Sequence, residues 1–334
     1  MPHSTVFSFT DPYTYQQAVR AAAADIFITS PGQFRAELTQ IDLYRLWLQR
    51  GRESLPRAAK VANVANRQPV LFLAHDRQGP LVFGRQVLVP GEIMIYARGS
   101  EHYQRSSTGV GWAAMSLTPD DFAALGRAIA GGDLTVPASN RVIRPPPLLM
   151  ERLLRLHSAA GQLAATAPEI LTHPEVARAI EQELLRAMVG CLIEGLGQRE
   201  KPMHDRRLPV MQRLERLLEA NADSPLYLAE VCAATGVPAR TLRQHCLEHL
   251  GMGPHQYLWL RRMNLARRSL TMSDGTATTV TAIANDHGFA ELGRFAVAYR
   301  RLFGEAPSAT LRRPAERPRD LVSDHPMPRL PILP

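Results

Sequence analysis

Arg240, Arg243 and Gln244 sit in the run Pro238-Ala239-Arg240-Thr241-Leu242-Arg243-Gln244-His245-Cys246. On a helix that buries Leu242, all three side chains stay outside. A guanidinium group is a planar fork of donors suited to phosphate oxygens and base edges. Arginine accounts for all but two, Lys60 and Lys201, of the 39 basic residues, and the net charge of +8 favours an anionic partner. Biased genomic base composition would give the same arginine-to-lysine ratio. Other reactive groups are sparse. His75, next to Asp76, and His102 are lone histidines, and no His-x-His occurs. The three cysteines, Cys191, Cys232 and Cys246, lack metal-ligand spacing, and their odd number fits a reduced cytoplasmic chain. Cys232 and Cys246 stand at a small and an apolar core position, so inert thiols are expected. There is no Walker loop, no Gly-x-Gly-x-x-Gly and no nucleophile elbow.

The elements that would position the arginines are helices in tandem. Val210, Met211, Leu214, Leu217 and Leu218 mark an amphipathic helix. In the next helix Cys232 lies four residues before Gly236, a small residue for close helix crossing and a glycine for the positive φ of a tight turn. Pro238 suits the first turn of the helix that follows. The pattern recurs with Ala284 and Gly288, then Glu291, Arg294, Phe295, Val297, Ala298, Tyr299 and Leu302. Between the two motifs, Pro254 to Leu270 reads as one helix. Its Tyr257, Leu258, Leu265 and Leu270 face inward, and Arg261, Arg262, Arg267 and Arg268 mostly outward. The spacing of Phe289, Phe295, Tyr299 and Phe303 is that of a buried stripe, and Trp259 reads as packing.

Residues 209–313 resemble the AraC/XylS family of bacterial transcription regulators. The resemblance is densest in Ile283-Ala284-Asn285-Asp286-His287-Gly288-Phe289, in Gly293-Arg294-Phe295, and in Tyr299-Arg300-Arg301-Leu302-Phe303-Gly304-Glu305-Ala306-Pro307-Ser308. It implies two recognition helices in successive major-groove segments, about 34 Å apart. By motif position the first offers Ala239, Arg240, Arg243 and Gln244, with arginine suited to guanine and glutamine to adenine. The second offers Glu291, Leu292, Gly293, Arg294 and Val297, where many members carry arginine in place of Val297. That helix would touch thymine methyls or rest on phosphates. Arg300, Arg301, Arg312 and Arg313 are phosphate candidates.

The N-terminal third reads as β. The run Leu38 to Leu48 alternates, and 70–74, 79–84, 86–89 and 92–96 are short β-branched or aromatic runs cut by Gly and Pro. Gly84-Arg85-Gln86-Val87-Leu88-Val89-Pro90-Gly91-Glu92 resembles the second conserved stretch of cupin domains, which are common sensors in this family. The missing His-x-His argues against a metal. Trp47, Tyr96, Tyr103 and Trp112 are candidates for an apolar pocket or, more simply, for core. From Pro147 the pattern turns helical, and Thr172 is placed to cap a second helix starting near Pro174.

The expected architecture is multidomain α and β. It has a cupin-like β barrel or sandwich over 1–140 and a helical connector over 141–200, either an internal brace or a dimer contact. A linker over 201–208, an all-α domain with two helix-turn-helix motifs over 209–313 and a disordered tail over 314–334 complete it. The expected function is a cytoplasmic, homodimeric, sequence-specific DNA-binding regulator, more an activator than a repressor. It would answer to a small-molecule effector and possess no enzymatic activity, metal or cofactor. Operator DNA and RNA polymerase are the expected partners, and no run of apolar residues is long enough for a membrane span. The rival readings are a cupin metalloenzyme with a DNA-binding appendage and an architectural DNA binder indifferent to ligands.

Overall fold

The computed structural model describes residues 1–63, 66–75, 77–84, 86–130, 134, 136–196, 208–221, 226, 228–273 and 278–313. The expected linker, except for Leu208, and the expected tail lie outside these residues.

Twelve strands among them form two sheets: β1 (His3–Phe9), β2 (Ala22–Ile28), β3 (Ala36–Asp42), β4 (Trp47–Glu53), β5 (Arg57–Asn63), β6 (Gln68–Leu73), β7 (Leu81–Phe83), β8 (Gln86–Leu88), β9 (Ile93–Ile95), β10 (Glu101–Ser106), β11 (Val110–Leu117) and β12 (Arg141–Ile143). The larger sheet runs β1-β3-β4-β11-β6-β9-β12 and the smaller β2-β5-β10-β7-β8, antiparallel throughout. They pack face to face, since one core joins Leu38, Leu73, Met94 and Val110 of the first to Ile28, Val61, Leu81 and Leu88 of the second. The arrangement is two facing sheets rather than a closed barrel.

The run from Leu38 to Leu48 is not one strand. It is the β3–β4 hairpin, with Asp42 opposite Trp47 and Leu43 N–H donating to the Leu46 carbonyl at 3.0 Å. Leu43 and Leu46 are both buried, so the turn keeps the apolar character that makes the run look continuous. Short helices α1 (Pro12–Ala18) and α2 (Pro119–Leu125) join strands. Asp11 caps α1, accepting from the N–H groups of Tyr13 and Thr14 at 2.9 and 3.2 Å.

The connector helices α3 (Pro147–Thr166) and α4 (Pro174–Leu196) lie on the outer face of the larger sheet. Leu153, Leu184, Met188 and Leu192 share a core with Val70, Phe72, Ile93 and Met115. Buried Glu181 of α4 accepts from the Arg45 and Leu46 N–H groups at 2.6 and 3.0 Å, tying α4 to the β3–β4 turn. The pair packs on the β unit of its own chain, as an internal brace does. Thr172 lies in a short 3-10 turn, and the first carbonyl of α4 is that of His173, which accepts from Ala177.

The C-terminal helices are α5 (Leu208–Ala220), α6 (Leu228–Thr235), α7 (Ala239–Leu250), α8 (Pro254–Met272), α9 (Val280–Asp286), α10 (Leu292–Phe303) and α11 (Pro307–Arg312). Their core includes Met211, Leu214, Val231, Leu242, Tyr257, Met263, Ile283 and Tyr299, and it extends into the smaller sheet through Phe27, Ala58 and Tyr103. No helix among the described residues is long and apolar enough to cross a membrane.

Candidate nucleic-acid interface

Helices α6 and α7 meet at Gly236, whose φ of +68° only glycine adopts freely, and α9 and α10 meet at Gly288, at +73°. The two turns close alike. Val237 N–H donates to the Cys232 carbonyl at 3.3 Å, and Phe289 N–H to that of Ala284 at 2.9 Å. Ala284 is fully buried, whereas Cys232 is half-buried. Cys246 is fully buried, and burial pushes its thiol up to about 12, which makes it inert. Pro238 caps α7 from outside the helix, its carbonyl accepting from Leu242.

Helices α7 and α10 are each twelve residues long and end at left-handed glycines, Gly251 (φ 73°) and Gly304 (φ 75°). On α7, Leu242, Cys246 and Leu250 are buried; on α10, Phe295, Tyr299 and Phe303 are. The aromatic stripe is a ladder of rings with centroids 4.8, 5.6 and 4.6 Å apart from Phe289 to Phe303. Phe289 is half-buried, with Arg262 lying 5.3 Å over its face.

Ala239, Arg240, Arg243 and Gln244 of α7 are all exposed, as are Glu291, which caps α10, and Leu292, Gly293, Arg294, Val297, Arg300 and Arg301 on it. Arg294 pairs with Glu291 at 2.8 Å at the start of α10. Arg313 is held by Glu305, which leaves Arg300, Arg301 and Arg312 as the more open cations at this end.

The arginines of α8 divide differently from the sequence expectation. Arg268 is exposed and lies over the Tyr13 ring at 4.4 Å. Arg261 and Arg267 are buried. Arg267 reaches Asp11 of the β unit at 2.8 Å and Glu305 at 3.1 Å. These carboxylates come from opposite ends of the chain and offset the desolvation of a buried guanidinium. Further contacts hold the helices to the β unit. Tyr103 Oη donates to the Met211 carbonyl at 3.2 Å, Lys60 pairs with Glu219 at 3.0 Å, and the Phe27 and Tyr257 rings stand edge to face at 5.9 Å. Both α7 and α10 touch the β unit at their C-terminal glycines. Gly251 lies under Arg105, Gly304 under Gln33, and Gly32 N–H donates to the Leu302 carbonyl at 3.1 Å.

The four aromatic pocket candidates separate. Trp47 carries Arg67 at 4.0 Å over its ring, and Tyr103 faces the helices. Trp112 donates to Glu53 at 2.9 Å, and Tyr96 stacks on His102 at 4.7 Å between the sheets. His75 is exposed and His102 buried. Neither His102 ring nitrogen has a hydrogen-bond partner, nor does Arg57 Nη1. Burial and the nearby Arg57 charge push His102 down to about 3. Among the described residues no group of three or more His, Cys, Asp or Glu could hold a metal ion. Gly84 and Gly91, whose spacing resembles cupins, are turn residues with φ of 56° and 88° flanking β8.

A cleft of 1250 Å³ opens between the β unit and the helices, and its walls include Arg35, Arg52, His75, Arg267, Phe303 and Glu305. The exposed faces of α7 and α10 are legible in the helical period and the turn glycines. The cleft is not, because no local pattern reports which strand loops come to face α8 and α10.

A helix-turn-helix domain family matches residues 231–313. The chain is similar to the probable thc operon regulatory protein of Rhodococcus erythropolis, 31% identical over 251 residues that cover 70% of this chain and 73% of that one. It is also similar to the XylDLEGF operon transcriptional activator of Pseudomonas putida, 32% identical over 122 residues, covering 36% of this chain and 38% of the relative. Among solved structures, the AraC-like transcriptional activator CuxR aligns with 79% of this chain and 95% of its own at 18% identity and a TM-score of 0.39. Two glycine-turned helix pairs with exposed outer faces, and a relative matched through most of both chains, lead to one assignment: the chain belongs to the AraC/XylS family of transcriptional regulators.

Proposed function

We propose that this DNA-binding regulator recognises a specific operator through α7 and α10, and that a small-molecule effector acting on the β unit controls it. The observation that carries the reading is the pair of exposed faces on helices of equal length and equal C-terminal capping, both anchored on the β unit by those ends. Arg240 and Arg243 pair with guanine edges and Gln244 with adenine, while Arg300 and Arg301 contact phosphates. The effector binds in the cleft between the units, where it touches both Arg35 of the β unit and Phe303 at the end of α10. Binding there shifts the population of arrangements in which both helices reach successive major-groove segments. The regulator works as a homodimer and more as an activator, in keeping with the activator names of several relatives.

Footprinting of the full-length protein on fragments flanking its own gene, at several salt concentrations, tests this. Protected half-sites that survive competitor DNA are expected. Binding that is uniform across sequences and collapses with salt would overturn the specific reading, since phosphate contacts alone behave that way.

A further inference from the structure

The two recognition helices register on their capping glycines. Setting Gly251 on Gly304 places Leu242, Cys246 and Leu250 on Phe295, Tyr299 and Phe303, buried residue on buried residue. It also places Arg240 on Gly293 and Gln244 on Val297. This register is one residue longer than the spacing of the turn glycines, because the second turn carries Phe289, Ala290 and Glu291 where the first carries Val237 and Pro238. The outer ridge of α7 therefore presents two hydrogen-bonding side chains, and the same ridge of α10 presents none.

The fold does not ask for these two residues. A Cβ built on Gly293 meets nothing within 4 Å, so packing does not require glycine there. A helical glycine also weakens the helix relative to alanine. Val297 is 71% exposed and touches no core, and its β-branched side chain is a poor helix former. Cations adjoin the strip: Arg294, paired with Glu291, lies beside Gly293, and Arg300 and Arg301 follow Val297. An apolar ridge beside cations matches a major groove, with phosphates at its rims. The apolar feature on that groove's floor is the C5-methyl group of thymine.

We propose that α10 reads thymine, with Val297 packing on a C5-methyl group and Gly293 letting the helix backbone approach the base pairs closely. Valine has no donor or acceptor, so it gains nothing specific from guanine, cytosine or adenine edges. The operator half under α10 is thereby marked by an A·T pair, and the half under α7 by hydrogen bonds. The inference rests on the DNA-reading role proposed above.

Uracil tests it, because replacing thymine by uracil removes the methyl and leaves every hydrogen-bonding group. Full-length protein is titrated against its footprinted operator with single thymine-to-uracil replacements along both halves. Loss of affinity of about 4-fold, the factor for burying one methyl group, is expected at one or two positions in the α10 half. V297A is expected to bind thymine and uracil operators within twofold of each other, while R240A keeps the thymine preference. Wild-type indifference to uracil throughout the α10 half overturns the inference. So does a V297A variant that still discriminates. Absence of any specific footprint by the wild type overturns the DNA-reading role itself, and this inference falls with it.

Discussion

The two helix-turn-helix halves are built alike and finished differently. Each has a positive-φ glycine in its turn, a twelve-residue second helix and a left-handed glycine at its end. Leu242, Cys246, His249 and Leu250 correspond to Phe295, Tyr299, Leu302 and Phe303, buried on buried, while buried His245 of α7 falls on half-buried Ala298. The outer ridges share nothing: Arg240 and Gln244 on α7 against Gly293 and Val297 on α10. The contrast teaches that packing and reading are separate demands. The core tolerates different shapes where volume is matched by its own neighbours, whereas the exposed ridge is free to change because the fold does not depend on it.

If that is right, matched core substitutions hurt equally and matched ridge substitutions do not. Leu242→Ala and Phe295→Ala are each expected to destabilise the protein by roughly 2–5 kcal/mol, measured by urea unfolding. A loss under about 1 kcal/mol at either site would break the equivalence of the two cores.

An acid titration asks whether the β unit follows different rules from the helices. His102 of β10 and His157, which α3 buries against the larger sheet, are pushed down to about 3 and about 4 by burial and by the nearby Arg57 and Arg50 charges. Below the unfolded value near 6.5 the unfolded chain binds protons that the folded chain refuses. Stability is therefore full above that value and falls as pH drops through it, by roughly 1.4 kcal/mol per unit per histidine, until the folded values are reached. Urea midpoints at pH 7.5 and pH 5.5 should differ accordingly, and a double His102→Leu, His157→Leu variant should lose most of the difference. Equal midpoints in the parent protein would contradict the burial.

On the reading side, Arg240→Ala or Arg243→Ala should cost roughly 1–3 kcal/mol of operator affinity and relax preference at one base pair. Undiminished binding across operator variants would remove α7 from base reading. The smallest effect expected is at Gly293. Gly293→Ala should raise stability by about 0.5–1 kcal/mol, as helix propensity dictates, while weakening operator binding through the α10 half. A variant that gains stability and keeps full affinity would show that the groove makes no use of the missing side chain.

The helical repeats were legible residue by residue. Their apolar period, the small residue before each turn glycine and the Phe303-Gly304 ending of the second are local signals, and the residues they left outside on α7 and α10 are exposed. The β unit was legible only in part. Runs such as 70–74 and 86–89 are strands β6 and β8, but the hairpin at Leu43–Leu46 was hidden by two buried leucines that prolong the alternation. The α8 arginines mark the other boundary. A helical wheel places Arg261 and Arg267 on a polar side, which is usually the solvent side.

Local order along the chain thus specified the helices, their turns and the side chains left exposed on α7 and α10, because period, caps and positive-φ glycines act within a few residues. The pairing of Arg267 with Asp11, the parting of the aromatic quartet and the cleft between the two units came from contacts between segments distant in sequence. Those contacts depend on which surfaces meet once the sheets and helices have formed, and no window of neighbouring residues carries that information.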